Sequence, residues 1–363
     1  MLSPMNFSEM LEEFRSLGGI ANNIELRKGI YGYGIYPLDV DKAIKIVMPT
    51  ELLISTNLLY LDRTNQLKVK AKTGLNPNVI DFFEKYQRFF GWGNGAITEL
   101  KEYHRELCRL PKIMQQYLVL FGWDYSDFDK KKPKDYLNEY FISRQIRIEN
   151  ESKIMPILDL INHSSAGIAY TADNGVSVEG MFKSEVLTCY HGSFDAFHFY
   201  KNYRIAAPSN IVLSCDVKIN VPNIGLINIT RFDSIVEKIS DVIIPRILKK
   251  DTEIRVSFVQ LTNNNKSASA KQVFIEQIQK FNIPQSTADQ IFNGLIEHNK
   301  QALTKLLDEC IKNNSKIAKD IEIIALNQLA LINASEIIEN YKYLLSITAD
   351  KAYLIKEFMH VNS

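Results

Sequence analysis

Apolar residues at Met5, Phe7, Met10, Leu11, Phe14 and Leu17 recur close to a helical period, and Gly18-Gly19 follows as a stop signal, so a helix opens the chain. From Ile24 the pattern changes to short alternating runs broken by Gly and Pro: Ile24-Glu-Leu-Arg27, Gly29-Ile-Tyr-Gly-Tyr-Gly-Ile-Tyr36, Ala43-Ile-Lys-Ile-Val-Met-Pro49 and Glu51-Leu-Leu-Ile-Ser55. These predict a small antiparallel sheet. Residues 76–140 return to helical spacing, with Val79, Phe82, Phe83 and Tyr86 on one face and Ile97, Leu100, Tyr103, Leu107 and Leu110 on another, broken at Gly91-Trp-Gly-Asn-Gly95. They form a helical insert between two sets of strands. Farther on, residues 169–178 predict a hairpin turning at Asn174-Gly175, and residues 184–192 a strand that ends in a polar turn. Strands at 211–215, 224–230 and 253–259 are expected around a helix near 234–248. Beyond a polar linker or loop at 262–270 everything reads as helix. Phe274, Ile275, Ile278 and Phe281 share a stripe, Asn282-Ile-Pro284 turns, and Ser286 or Thr287 caps a helix carrying Ile291, Phe292, Leu295 and Ile296. The helices of 318–359 are apolar nearly all round and must bury against one another as a bundle.

One stretch stands apart. Lys153-Ile-Met-Pro-Ile-Leu-Asp-Leu-Ile-Asn-His-Ser164 runs largely apolar and then stops on three polar side chains in succession. Either a buried strand or short helix delivers Asn162 and His163 to a site, or Asn162 caps a turn and His163 is an ordinary half-buried imidazole. The glycines at 29, 32 and 34 serve a tight turn or let a ligand approach bare backbone. They are no dinucleotide fingerprint, because Pro37 stands where a third glycine belongs and no helix follows. The dense aromatics Phe194, Phe197, Phe199, Tyr200 and Tyr203 are either plain core or the wall of a narrow apolar channel.

At 363 residues the chain has room for two domains, each with its own core. A formal net charge of +1 gives no basis for a nucleic-acid partner, and Lys130-Lys-Lys-Pro-Lys134 lies among Asp127, Asp129 and Asp135 as a solvated loop. The four cysteines follow no ligand spacing, so reduced thiols and a cytoplasmic location are expected. Glu12, Glu13 and Arg15 occupy the place of a signal peptide's apolar region, and no run long enough to span a membrane occurs. A metal enzyme built on His163, His191 and His198 is disfavoured by their spacing, and no metal site is expected.

Taken in order, Gly32-Tyr-Gly34, Ser143-Arg-Gln145, Met155-Pro-Ile-Leu-Asp-Leu-Ile-Asn-His-Ser164, Glu185-Val-Leu-Thr-Cys-Tyr190 and Tyr203 resemble the motif set of SET-domain methyltransferases. The resemblance extends to the branch typified by the plant Rubisco large-subunit lysine methyltransferase and the actin-histidine methyltransferase. It implies an α+β fold: a SET domain of small antiparallel sheets over residues 1–207, with a helical insert at about 65–140, then a mainly helical domain over 208–363 that docks a protein substrate. It also implies S-adenosylmethionine as cofactor and S-adenosylhomocysteine as product. The backbone of Tyr31, Gly32, Tyr33 and Gly34 would lie along the cofactor, Arg144 would pair with its carboxylate, and Asn162 and His163 would hold its two ends. Tyr190 would be catalytic, standing at the methyl group, with Ile146, Leu158, Tyr170 and Tyr203 lining the substrate channel. Two departures are Tyr203-Arg-Ile for the family's Tyr-Gly-Phe, and Ser184 for its glycine. The histidine-methylating branch carries a polar Asn and a Trp at the positions of Ile146 and Leu158. Ile146 cannot hydrogen-bond an imidazole, so lysine is the expected acceptor. Histidine methylation, and a non-catalytic scaffold that docks a partner, are the alternatives.

Overall fold

A computed structural model describes residues 6–29, 32–129, 131–190, 194–222, 224–231, 237–239, 242–250, 253–263 and 267–347. The opening helix, Phe7–Ser16, begins with a reciprocal cap: the Asn6 side chain accepts from the Ser8 N–H at 3.2 Å and Glu9 accepts from the Asn6 N–H at 3.2 Å. It stops at Gly18, whose φ of +93° no branched residue would tolerate.

Ile24–Gly29 and Gly32–Pro37 form an antiparallel hairpin. Ile44–Pro49 runs between Ile20–Asn22 and Gly175–Gly180 in a three-stranded antiparallel sheet. Ahead of that third strand the chain turns at Asn174 and Gly175, both at positive φ, with a single bridge from Thr171 to Ser177. The turn is therefore where the sequence puts it, but the strand that follows finds its main partner 130 positions back. Helices Pro77–Phe89, Ile97–Arg109, Lys112–Leu120 and Pro133–Arg144 fill the span expected to be helical, and a π turn over Trp92–Ala96 marks the glycine break. Val79, Phe82, Phe83 and Tyr86 are all buried in one core with Phe14, Ile46 and Leu158.

The described residues between 211 and 263 are mostly strands. No helix occupies the described part of 234–248, which is instead the strands Glu237–Ile239, Val242–Ile244 and Arg246–Lys250. Pro245 cannot donate within a helix, and the β-branched run Val242-Ile243-Ile244 suits a pleated surface better. Val217–Val221, Gly225–Thr230, Glu253–Ser257 and Arg246–Lys250 lie side by side as one sheet. Their register puts Ile219, Ile227 and Ile254 in one row facing inward, and Lys218, Asn228, Arg255 and Leu248 in a row on the opposite face.

The expected linker is shorter than drawn. Gln260–Asn263 is a strand, Ser267–Gln279 a helix, and only 264–266 fall outside the described residues. The next helix, Gln285–Ile311, starts ahead of Ser286 and Thr287: its N-cap position is Pro284, in extended backbone and without a side-chain capping bond. Lys316–Ile347 is a single helix, and residues 348–359 lie outside the description. Among the described residues no helix is long and apolar enough to cross a membrane.

The chain divides into two compact units: Met1–Arg105 with Lys130–Gly192, and Glu106–Asp129 with Ser193–Ser363. In the second unit, Phe197, Phe199 and Tyr200 are buried, and Phe197 stacks on Phe121 at 4.3 Å, so these aromatics are core. Arg231 is the polar centre of that unit. Its guanidinium reaches Asp195 at 2.8 Å and donates to the carbonyls of Ser214, Phe121 and Leu213, and its backbone N–H donates to Asp216. Asp195 and Arg231 are both buried, so removing one partner strands a charge. Asp195→Ala is expected to lower the unfolding free energy by about 3–5 kcal/mol in urea titrations, a larger loss than Asp195→Asn causes.

Candidate active site

Three segments of the first unit converge. Residues 185–190 run between the glycine hairpin and the Asn-His strand. The Val186 N–H donates to the Ile35 carbonyl at 2.8 Å, Leu187 and Thr188 pair in parallel with Asn162 and His163, and the Cys189 N–H donates to the Ile168 carbonyl at 3.0 Å. A parallel pair needs a crossover, and here the excursion through Gly175–Gly180 provides it.

The 153–164 stretch is neither one strand nor one helix. Glu151–Ile154 is a strand, Leu158–Leu160 a 3-10 turn, and Asn162–Ile168 a second strand. The turn is entered at Ile157 with φ of +71°, a costly conformation for a β-branched residue, held by complete burial. The result is that Asn162, half-buried, and His163, buried, start a strand that pairs with Leu187 and Thr188.

Asn162 turns its Nδ2 to the Tyr33 carbonyl at 3.2 Å and to Glu185 Oε1 at 2.5 Å, while Tyr36 donates to Glu185 Oε2 at 2.9 Å. Gly34 is buried between them. A Cβ on it would stand 2.0 Å from Glu185 Oε1 and 2.7 Å from Asn162 Nδ2. Gly32, at φ of +97°, has open space around that position.

His163 Nδ1 lies 3.1 Å from the Thr188 carbonyl and 3.2 Å from the Tyr190 backbone nitrogen, and it serves one of them in each tautomer. Burial pushes its pKa down to about 4, so it is neutral at physiological pH. Its ring lies 5.2 Å from that of Tyr190, whose hydroxyl donates to the Ile161 carbonyl. The phenol and the Asn-His strand are thereby fixed to each other.

Arg144 ends the helix Pro133–Arg144. Its Nη1 donates to the Asp159 carbonyl at 3.1 Å and approaches Asp159 Oδ2 at 3.4 Å, with the guanidinium 5.1 Å from the centre of the Tyr140 ring. Tyr86 donates to Asp159 Oδ1. Burial raises the Asp159 carboxyl pKa, against the pull of Arg144. Arg144 keeps a raised pKa: burial alone would lower it, and the oxygens of Tyr140, Asp159, Tyr86 and Tyr190 outweigh that. Arg144 stays 28% exposed while Asp159 is sealed, so the cation is the member of the pair that a ligand can reach.

Gly32, Tyr33, Gly34, Asn162, His163 and Tyr190 are thus drawn into one neighbourhood, with Arg144 tied to Asp159, two residues before the Ile161 whose carbonyl takes the Tyr190 hydroxyl. Tyr170 donates to the Leu158 carbonyl at 3.3 Å, and Leu158 is fully buried. Ile146 lies half-buried on the strand Gln145–Ile148, paired with Lys153. Tyr31 falls outside the described residues, and Tyr203 ends the helix Ala196–Tyr203 of the second unit. Sequence reasoning assigned no role to Glu185, Tyr36, Asp159 or Tyr86. Glu185 and Asp159 lie within the motifs already noted, and that position was the one signal available. Among the described residues no group of three or more His, Cys, Asp or Glu is placed to hold a metal ion.

No family model matches the chain, and no curated protein matches it in sequence. Solved structures are similar to it: the SET domain of LSMT bound to lysine and AdoHcy, at 12% identity, covering 98% of this chain and 95% of that one with a TM-score of 0.41. Rubisco LSMT bound to AdoMet, and Rubisco LSMT bound to sinefungin and monomethyllysine, each cover 93% of this chain and 92% of theirs at the same identity and score. At that identity and score the likeness is a loose one.

Two outcomes follow from this geometry. Gly34→Ala forces Glu185 and Asn162 apart and is expected to lower stability by about 1–3 kcal/mol in urea titrations. Because His163 has a depressed pKa, its contribution is complete above pH 6.5 and is lost as pH falls toward about 4. Urea midpoints should therefore drop across that window more steeply for the natural chain than for His163→Gln.

Proposed function

We propose that the chain is an S-adenosylmethionine-dependent protein methyltransferase of SET type, acting on a lysine side chain. The observation that carries this is the joining of the glycine hairpin, Asn162-His163 and the Tyr190 phenol by residues 185–190. The residues suit that cofactor. The hairpin offers open backbone at Gly32, Arg144 offers a reachable cation for a carboxylate, and Asn162 and the neutral His163 offer hydrogen-bonding groups without a competing positive charge. When bound there, S-adenosylmethionine would supply an electrophilic methyl on a sulfonium.

The work left to the protein is positioning: holding nucleophile and methyl carbon in line, about 3 Å apart and out of water. The Tyr190 oxygen beside the Ile161 carbonyl forms a pair of electron-rich atoms suited to polarised C–H groups. Tyr190 and Tyr170 would favour a cationic approach through their aromatic faces, each worth roughly 0.5–2 kcal/mol when desolvated, with Leu158 buried behind Tyr170. A lysine ammonium entering such surroundings loses its proton more readily, through desolvation and through repulsion by a second cation, so no dedicated base is required. Ile146 and Leu158 have no side-chain donor or acceptor for the far nitrogen of an imidazole, which supports lysine over histidine. The second unit would dock the protein that carries the lysine.

The test is incubation with methyl-labelled S-adenosylmethionine and cell extract, followed by mass spectrometry of any labelled protein. Label on lysine, reduced at least a hundredfold by Tyr190→Phe while cofactor affinity stays within about threefold, is the expected result. Label on histidine would overturn the choice of acceptor, and cofactor uptake with no transfer to any extract would favour a non-catalytic docking protein.

A further inference from the structure

Glu185 is the hub of the hairpin's contact with Asn162. One carboxylate oxygen, Oε1, takes the Asn162 amide and lies in the room left by the missing Cβ of Gly34, and the other, Oε2, takes the Tyr36 hydroxyl. The two groups facing the Asn162 amide, the Tyr33 carbonyl and the Glu185 carboxylate, only accept hydrogen bonds. The amide must therefore present Nδ2 to them, which turns Oδ1 away from the hairpin. Arg27 directs its guanidinium elsewhere, stacking on the Tyr36 ring at 4.5 Å and pairing its Nε with Glu25 at 2.7 Å.

We infer that Glu185 is the positioning residue of the cofactor site, fixing Asn162 so that Oδ1 accepts from the cofactor's N–H donors, and setting behind Gly34 a negative charge that favours a cationic occupant over a neutral one. This rests on the function proposed above. It predicts discrimination between the sulfonium donor and the neutral thioether product at one side chain, a property that a mere packing contact would not confer. A carboxylate acting across a half-buried separation of several ångströms is worth about a tenfold preference for the cation.

The test is calorimetric titration of the full chain with S-adenosylmethionine and separately with S-adenosylhomocysteine. Glu185→Gln keeps an acceptor for Asn162 and a hydrogen bond to Tyr36 and removes only the charge. It should weaken the donor about tenfold and the product no more than about twofold. Tyr36→Phe keeps the charge and loosens its anchor, so both ligands should weaken by a similar, smaller factor, with the donor-to-product ratio unchanged. Equal weakening of both ligands by Glu185→Gln, or none, with an unaltered thermal midpoint, overturns the inference. Failure of the unsubstituted chain to bind either ligand overturns the function proposed above.

Discussion

The arrangement depends on one short run of backbone pairing. Between residues 185 and 190 the chain is hydrogen-bonded on one side to Ile35 of the glycine hairpin and on the other to the strand that begins at Asn162. Because the backbone makes these bonds, three segments distant in sequence are held at hydrogen-bonding distance whatever their side chains do. The side chains then exploit it: Glu185 bridges hairpin to amide, and Tyr190 bridges phenol to Ile161.

Around this seam the polar groups are layered by burial. Asp159 and Tyr86 are sealed and paired, and they tie Arg144 without covering it, while His163 is kept neutral by desolvation. A buried carboxylate next to a partly exposed guanidinium is costly to assemble, and its loss would leave an unpaired cation at the edge of the site. The positive φ at Ile157 belongs to the same picture, since a strained residue persists only where its surroundings determine it.

Much of this could be read in the sequence because local rules govern it. Helical periodicity marks the opening helix and the helices between 77 and 144, and the glycine and proline breaks mark the hairpin. The abrupt polar end at Asn162-His163 singles out the stretch that pairs with Leu187 and Thr188, because apolar core strands rarely finish that way. Register was not legible: nothing local pairs Gly175–Gly180 with Ile44–Pro49, or Leu187 with Asn162. Glu185 escaped notice for the same reason, since its significance depends on what lies across from it. Strands replace the helix expected near 234–248 because Pro245 cannot donate within a helix and the β-branched run before it suits a pleated surface.

Whether the seam creates a cofactor site is most directly tested by a crystal structure of the chain with S-adenosylhomocysteine. The account predicts the ligand along the backbone of Gly32–Gly34, its carboxylate at Arg144, Asn162 Oδ1 turned to one of its N–H groups and its sulfur toward the Tyr190 hydroxyl. A ligand seated elsewhere on the chain, or a Tyr190 hydroxyl remote from the sulfur, would contradict it.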